Sequence, residues 1–399
     1  MVSDGIPTPA FVINERKLEA NIASFNGALR GIWSNAQLAY SVKTNSLPWI
    51  LRKMSQEGVW AEVVSDEEYA LALQCGYDDS RIIFNGPIKG ESFIKKAFRG
   101  GAVVNLDSRA DLDLCARFAE CDSMVGLRVN VPTDLFDAGD IGVFDGGFRF
   151  GFDCPSGGFS DALEAIAPAL RRGARIGLHL HCNSVTRSES VYRTIAKYAV
   201  AVMERFEIAP AFIDIGGGFF GGVEGKPTPE SYLSAIHEEL ACCVDPASTM
   251  LFLEPGSALI GSTTDLVTSV LDVKCVGDAS IVTTDGSRLH IDPLWKKNAY
   301  LYSLGTSSVA ICPKQVVCGY TCMDHDRIMT IADRPALQVG DRIIYHRVGA
   351  YSMTLGGMFI RYLPDVYVDG PSGVVKVRDT ISVEDYIAIN STGDLNHRR

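Results

Sequence analysis

Polar residues that end apolar segments are the first candidates for chemistry in this sequence. Lys43 follows the strand-like stretch AYSV, and Glu254 follows the apolar run MLFL. Lys43 is either a surface charge at a strand end or an amine positioned for chemistry. The second interpretation is open because a lysine in an active site can form a Schiff base with an aldehyde. A buried carboxylate is costly unless a cation or a donor meets it, so Glu254 is expected to have a partner.

Three successive glycines are the sharpest local feature of the chain. Gly216, Gly217 and Gly218 lie in DIGGGFFG, directly after an apolar segment. Such a stretch leaves backbone N–H groups free to bind a phosphate, and a flexible turn is the alternative interpretation. His179 and His181 fall on one side of a strand by alternation. No third ligand follows at matching spacing, so we predict no metal site. The combination of a lysine, a buried acid, a histidine and a phosphate-binding glycine segment predicts pyridoxal 5'-phosphate as the cofactor.

Short apolar segments that alternate with helical periodicity must position these residues. Eight such segments predict a (β/α)8 TIM barrel, and a doubly wound open sheet is the alternative. They are Gln37–Val42, Val59–Val64, Arg81–Phe84, Ala102–Leu106, Met124–Val129, Arg175–Leu180, Ala211–Ile215 and Met250–Leu253. Barrel sites lie at the carboxyl ends of the strands. The residues there are Lys43, Ser65, Asn85, Asp107, Asn130, His181, Gly216 and Glu254, with a helix cap favoured for Ser65, Asn85 and Asp107.

The pattern changes after about residue 262, where strands follow one another without helices between them. This predicts an α/β barrel followed by an all-β domain. The predicted strands are Leu266–Val276, Ile281–Thr284, Lys314–Cys318, Arg342–Val348 and Val366–Arg378. Before this point, apolar spacing predicts helices over Asp66–Cys75, Glu91–Phe98, Arg109–Ala119, Asp161–Arg171, Ser190–Phe206 and Pro229–Ala241. The predicted N-caps are Ser65, Asp107–Ser108 and Ser160.

The composition limits the class of protein and its partners. The chain has 399 residues, a formal charge of −11 and a pI near 5.2, which argues against binding to nucleic acid or to an anionic membrane. We identify neither a signal peptide nor an apolar run long enough to span a bilayer. The eleven cysteines form no metal or disulfide pattern, which is typical of a reducing compartment. We therefore expect a cytoplasmic protein.

The chain resembles the ornithine/diaminopimelate/arginine decarboxylase family, which comprises pyridoxal-phosphate enzymes of the alanine-racemase-like fold type III. The resemblance extends over nearly the whole length. It rests on ordered motifs, namely AYSVKTNS, SDEEYALALQCG, RIIFNGPIKG, VNLDS, LRVN, RFGF, HCNS, DIGGGFFG, EPGS, CGYTCMDHD and GAYS.

The resemblance implies a role for each matching residue. It implies that Lys43 binds the cofactor covalently, that Glu254 faces the pyridine nitrogen and that His181 stacks on the ring. It also implies a homodimer whose active sites are shared, with Cys322 supplied by the neighbouring subunit to return a proton to the substrate Cα. The implied phosphate ligands are Ser184, Gly216, Gly217, Gly218 and Tyr351, and Gly256 is a further implied cofactor-binding residue. The implied substrate-binding residues are Cys322, Met323, Asp324, Tyr351 and Phe359. The implied domains are 21–262 for the cofactor-binding barrel, and 1–20 with 263–399 for a Greek-key-like β-domain.

Three departures from the family pattern bear on the substrate. Ser257 stands where the family motif EPGR has arginine, Met323 stands where an acid follows the cysteine, and Ile360 stands where an asparagine follows the phenylalanine. Methionine cannot bind the distal ammonium of a diamino acid. We therefore expect the decarboxylation of a modified or conjugated diamino acid, as in siderophore or antibiotic biosynthesis. Diaminopimelate decarboxylase proper, an amino-acid racemase or epimerase, and an inactive regulatory homologue are the alternatives, and Glu254 favours decarboxylation over racemisation.

Overall fold

The computed structural model describes residues 5–142 and 145–391. The chain divides into two compact units. We call Glu19–Leu259 the barrel unit, and Met1–Leu18 with Ile260–Arg399 the β-unit. The implied domain ranges 1–20 with 263–399 and 21–262 stay a prediction, and their outermost residues 1–4 and 392–399 lie outside the described residues.

Strands and helices are numbered in chain order. The strands are β1 Ala10–Asn14, β2 Ala36–Ser41, β3 Trp60–Val63, β4 Ile82–Phe84, β5 Val103–Leu106, β6 Met124–Asn130, β7 Phe152–Asp153, β8 Arg175–His179, β9 Phe212–Asp214, β10 Met250–Leu253, β11 Thr264–Val276, β12 Ala279–Thr284, β13 Leu301–Gly305, β14 Ile311–Cys318, β15 Arg327–Pro335, β16 Arg342–His346, β17 Asp365–Gly370 and β18 Gly373–Arg378. The helices are α1 Glu15–Ile32, α2 Pro48–Gln56, α3 Asp66–Gln74, α4 Glu91–Gly100, α5 Arg109–Phe118, α6 Gly158–Arg171, α7 Glu189–Phe206, α8 Pro229–Leu240, α9 Ser257–Ile260, α10 Arg288–Ile291 and α11 Val383–Asn390.

Parallel strands of the barrel unit close into a ring in the order β2, β3, β4, β5, β6, β8, β9, β10 and back to β2. Each of the eight predicted segments overlaps one of these strands, and closure through the β5–β6 and β10–β2 pairs excludes the open sheet. The predicted TIM barrel is therefore confirmed. Most residues in these strands are buried, because helices cover the outside of the ring and side chains fill its inside.

The interior of the barrel is apolar near the amino ends of the strands. Phe212 lies there in a cluster with Ala39, Ile83, Val103 and Phe252. Its ring has room because Gly177, on another strand, lacks the Cβ atom that would clash with it. The apolar filling at this end leaves the carboxyl ends of the strands for polar side chains.

The helices of the barrel unit begin close to the predicted positions. The side chains of Ser65 and Ser108 accept hydrogen bonds from the N–H groups of Glu68 and Asp111, as predicted for N-caps. The predicted cap at Ser160 is wrong, because α6 already begins at Gly158 and Ser160 lies in its first turn. No helix in the described part of the chain has the length and apolarity needed to cross a bilayer.

The β-unit is built on one sheet that also takes the N-terminal strand. β1 pairs with β11 in antiparallel and with β17 in parallel orientation, as the resemblance implied. The predicted single strand over Val366–Arg378 is wrong, because Pro371 and Ser372 form a turn between β17 and β18, which pair as a hairpin. β13, β15 and the short helices α10 and α11 were not predicted. Charged and exposed residues hide the apolar pattern of β15 and α11, and β13 and α10 are only five and four residues long.

Candidate active site

Lys43 lies on a 3-10 turn, Val42–Thr44, that directly follows β2. Its Nζ lies 2.8 Å from Oε2 and 3.0 Å from Oε1 of Glu62 on the neighbouring strand β3. Burial by itself would raise the pKa of Glu62, but the charge and the hydrogen bonds of Lys43 outweigh it and hold this pKa below its usual value. An ionised carboxylate therefore fixes the position of the amine.

A pair of buried acids lies where β9 and β10 end. Asp214 is the last residue of β9, Glu254 directly follows β10, and their carboxyl groups hydrogen-bond with each other. Burial, followed by the negative charges of Asp214 and Glu62, raises the pKa of Glu254 well above its usual value. Burial also raises the pKa of Asp214 to about 6. The pair therefore keeps a proton to higher pH than two separate carboxyl groups in water would.

Two asparagine amides connect the Lys43 side of the site to the acid pair. Asn85 donates through Nδ2 to Glu62 Oε1 at 3.1 Å and to Glu254 Oε1 at 2.8 Å. Asn105 donates through Nδ2 to Asn85 Oδ1 and to Asp214 Oδ2, both at 2.8 Å. All four partners are buried, so this network satisfies groups that would otherwise be costly to bury.

His179 and His181 contribute neutral imidazole rings. Burial, followed by the charges of Arg128 and Lys43, lowers the pKa of His181 to about 3. Burial also lowers the pKa of His179 well below its usual value. Ligand atoms of His179, Asp214 and Glu254 lie within 4.8 Å of one another, which supplies the third metal ligand that sequence spacing did not reveal. Since amide donors and a shared hydrogen bond already bind both carboxyl groups, the arrangement fits a proton-holding pair better than a cation site.

The glycine segment after β9 adopts a backbone that other residues rarely adopt. Gly216 and Gly218 have φ values of 69° and 93°. A Cβ on Gly216 would lie 2.6 Å from the Cβ of His181, and one on Gly217 would clash with the carbonyl oxygen of Glu254. This segment is therefore a close-packed backbone surface beside the acids and His181, not a flexible turn.

The comparisons with known proteins agree with this chemistry. The family described as "Pyridoxal-dependent decarboxylase, pyridoxal binding domain" matches residues 15–261. The chain belongs to this family. It is a pyridoxal-phosphate-dependent amino-acid decarboxylase, as the sequence predicted.

Relatives cover almost the whole chain. The chain is similar to "Diaminopimelate decarboxylase" of Archaeoglobus fulgidus, with 29% identity over 88% of this chain and 85% of the relative. It is also similar to "Probable diaminopimelate decarboxylase, chloroplastic" of Oryza sativa, with 26% identity over 95% and 79%. Among solved structures, diaminopimelate decarboxylase of M. jannaschii gives a TM-score of 0.84 at 22% identity, covering 98% of this chain and 94% of the other. The Chlorella virus arginine decarboxylase gives 0.75 at 21%, covering 92% and 97%. These structures support the fold.

The residues of the barrel unit fit the cofactor of this decarboxylase. A Cβ on Gly256 would clash with Oγ1 of Thr44, which is buried and has no hydrogen-bond partner among the described residues. The unsatisfied hydroxyl and the bare glycine backbone suit a phosphate, and the amine of Lys43 beside them suits an aldehyde. Lys43, His181, Glu254 and Gly216–Gly218 are thus brought together at one end of the barrel.

Other residues predicted at strand ends have different partners. Asn85 belongs to the network, so the cap favoured for it is wrong. Asp107 is also not a cap, because it accepts hydrogen bonds from Arg128 at 3.0 Å and from the N–H of Gly151 at 2.6 Å. Asn130 donates to the carbonyl groups of Phe148 and Phe150, which holds the RFGF segment in place.

The remaining predicted site residues lie in the β-unit. Cys322 is exposed there, and Met323 and Asp324 follow it in the same turn. The Asp324 side chain is 96% exposed and pairs with Arg327. Tyr351 is exposed and has a positive φ, 56°. Phe359 is exposed, and its carbonyl group accepts a hydrogen bond from Tyr320 at 3.4 Å.

Glu62, Asn105 and Asp214 are site residues that the sequence interpretation missed. Each belongs to a strand and lies between two apolar neighbours in the sequence, and each side chain is nearly or fully buried. The signal was available, because a polar residue in a fully apolar strand needs a buried partner, as was argued for Glu254. Only the partners could not be read from the sequence.

Proposed function

We propose that this enzyme removes the α-carboxylate of a diamino acid that also carries a distal carboxylate, as diaminopimelate does. The observation that carries this proposal is the set of relatives, since those that cover 88% to 96% of the chain are named diaminopimelate decarboxylases. Ornithine and lysine lack the distal carboxylate and are expected to be poorer substrates.

The residues of the barrel unit divide the work of such a reaction. Pyridoxal phosphate, when bound, supplies the electron sink that accepts the electrons left by the departing carboxylate. Lys43 holds the cofactor, and Glu62 orients the amine. Glu254 places a proton at the pyridine nitrogen, a role its raised pKa suits, and Asn85 fixes its carboxyl group. Neutral His181 offers a flat face for stacking. Cys322 is the proposed donor of the proton that replaces CO2 on Cα.

A modified or conjugated diamino acid is the second candidate substrate. Met323 favours this candidate, because it replaces the acid that would bind a distal ammonium. The nearby Asp326 also favours it, because its hydrogen bonds prevent it from taking over that role. The Asp326 carboxylate is buried and accepts hydrogen bonds from Ser287, Thr321 and the N–H of Arg288. These bonds occupy it in the structure of the β-unit, so it is a poor replacement for the missing acid.

Release of CO2 from purified enzyme tests these candidates. We expect the highest kcat/KM with diaminopimelate, lower values with lysine and ornithine, and no release by the Lys43→Ala variant. A clear preference for an acylated or citrate-conjugated diamino acid would replace the first candidate by the second. Racemisation without CO2 release would support the racemase alternative. An enzyme without cofactor absorbance would support the inactive regulator.

We also propose that two copies share each active site, as the family resemblance implies. The exposed thiol of Cys322 and the exposed ring of Tyr351 are compatible with a role at a subunit interface. Mixing the inactive variants Lys43→Ala and Cys322→Ala tests this, because a hybrid dimer would contain one intact site. Recovery of part of the activity is expected, and its absence after verified subunit exchange would contradict the shared site.

A further inference from the structure

Arg187 is a cation beside the glycine segment whose role the reaction outlined above does not explain. Its Nη1 donates to Oγ of Ser257 at 3.3 Å, and its guanidinium lies 5.3 Å from the centre of the Phe220 ring. Phe220 belongs to the same DIGGGFFG stretch as Gly216–Gly218. Among the described residues no carboxylate forms an ion pair with Arg187, although the chain carries a formal charge of −11. A half-buried cation without an anionic partner suits an anionic ligand.

The backbone around Arg187 is held in an uncommon conformation. Arg187 has a φ of 52°, which is unfavourable for a residue with a side chain. Its N–H donates to Oγ of Ser184 at 2.8 Å, and its carbonyl group accepts from the hydroxyl of Tyr232 at 2.6 Å. Asp140 fixes the same loop, because its carboxylate accepts hydrogen bonds from the hydroxyl groups of Thr186, Ser188 and Ser190. The loop is therefore built to present this side chain in one direction.

We propose that Arg187 binds the phosphate of pyridoxal phosphate from the side of Ser257. The family motif has arginine at the position of Ser257, and here the guanidinium of Arg187 reaches the same position from a different loop. The proposal rests on the cofactor site described above. Arg187, from the loop between β8 and α7, thus takes the place of the family arginine at the start of α9. The small side chain of Ser257 leaves space for its guanidinium.

The anion could also be a distal carboxylate of the substrate, since both ligands offer oxygens to a guanidinium. The geometry points to the phosphate, because both contacts of Arg187 lie close to the glycines of the cradle. Ser257 directly follows Gly256, and Phe220 lies two residues after Gly218. The two sources predict different results when cofactor and substrate binding are measured separately.

Titration of apoenzyme with pyridoxal phosphate and with pyridoxal, which lacks the phosphate, tests the proposal. We expect Arg187→Gln to weaken the binding of pyridoxal phosphate by about 10- to 100-fold, which is the range for a lost charge-assisted hydrogen bond, and to leave pyridoxal binding unchanged. Lys226→Gln is the matched control. Lys226 also lies over the Phe220 ring, at 5.1 Å, but it has no contact with Ser257, so its removal should change neither affinity.

A second variant keeps the test decisive if Arg187→Gln disturbs the loop. Adding Ser257→Arg to Arg187→Gln returns the charge to its family position and should restore binding of pyridoxal phosphate. Unchanged affinity in Arg187→Gln, or equal loss for both ligands, would overturn the proposal. Unchanged cofactor affinity with a raised KM would assign Arg187 to the substrate and also overturn it. Because binding is measured on apoenzyme, these outcomes do not depend on which amino acid is decarboxylated.

Discussion

Glu62 and Glu254 lie at the same end of the barrel, yet they hold their protons differently. Both side chains are buried, and both accept a hydrogen bond from the amide of Asn85. Glu62 faces the ammonium group of Lys43, and its pKa is lowered. Glu254 faces the carboxyl group of Asp214, and its pKa is raised well above the usual value.

Because both glutamates are buried, the difference between their pKa shifts comes from their neighbours. Burial raises the pKa of both glutamates, and a cation outweighs it in one while a second acid adds to it in the other. One fold thus places an acid with a lowered pKa beside the amine and an acid with a raised pKa beside the site proposed for the pyridine ring. The following variants test this contrast.

The largest effect is expected from Glu254→Gln. Glutamine keeps the shape and the acceptor for Asn85, but it cannot exchange a proton with a ring nitrogen. We expect kcat for CO2 release to fall by about 10²- to 10⁴-fold, the range for loss of a general acid or base. Glu254→Asp, which keeps an ionisable group, should retain more activity. A Glu254→Gln variant with wild-type kcat would show that the ionisable group of Glu254 has no role in catalysis.

Asp214→Asn should change how stability depends on pH. The pKa of Asp214 is about 6 when folded, against an ordinary 3.8, so the folded protein holds a proton that the unfolded chain releases. This contribution is fully present below about pH 4 and is lost as the pH rises through about 6. We expect the unfolding free energy of wild type relative to Asp214→Asn to fall by up to about 3 kcal/mol across this window.

Urea unfolding of both apoenzymes at several pH values measures this difference. The comparison with the variant is needed because acids with lowered pKa values, such as Glu62 and Asp140, give wild type the opposite trend. A difference that stays constant, or that grows with pH, would mean that Asp214 and Glu254 do not hold a proton together.

The smallest effect is expected from Glu62→Gln. Without a carboxylate 2.8 Å away, the ammonium of Lys43 loses its proton more easily, so the amine reacts with cofactor at lower pH. We expect the pH midpoint of the cofactor-loading rate to fall, and the change to be modest because the Lys43 side chain is 43% exposed and solvent screens the pair.

Ser65→Ala is the control for this experiment, since Ser65 follows the same strand as Glu62. Loss of its N-cap should lower the unfolding free energy by about 1 kcal/mol and leave the loading midpoint unchanged. An unchanged midpoint in Glu62→Gln would show that the ion pair has no influence on the amine.

Position along the strands explains which residues could be predicted. Lys43, His181, Gly216 and Glu254 follow apolar strands, so the end of a strand marked them as site candidates. Asn85 was marked in the same way, but a helix cap was favoured because an asparagine at a strand end is common in both settings. Its hydrogen bonds to Glu62 and Glu254 depend on strands far apart in the chain.

The sequence by itself determined the alternation of strands and helices, the carboxyl-end residues and the motifs of the decarboxylase family, because these depend on local order and spacing. Only the tertiary structure decided which acid meets Lys43, which acid shares a proton, and that the guanidinium of Arg187 reaches Ser257, 70 residues further along the chain. Protonation and partnership are properties of distances between strands and loops, and those distances exist only once the barrel has closed.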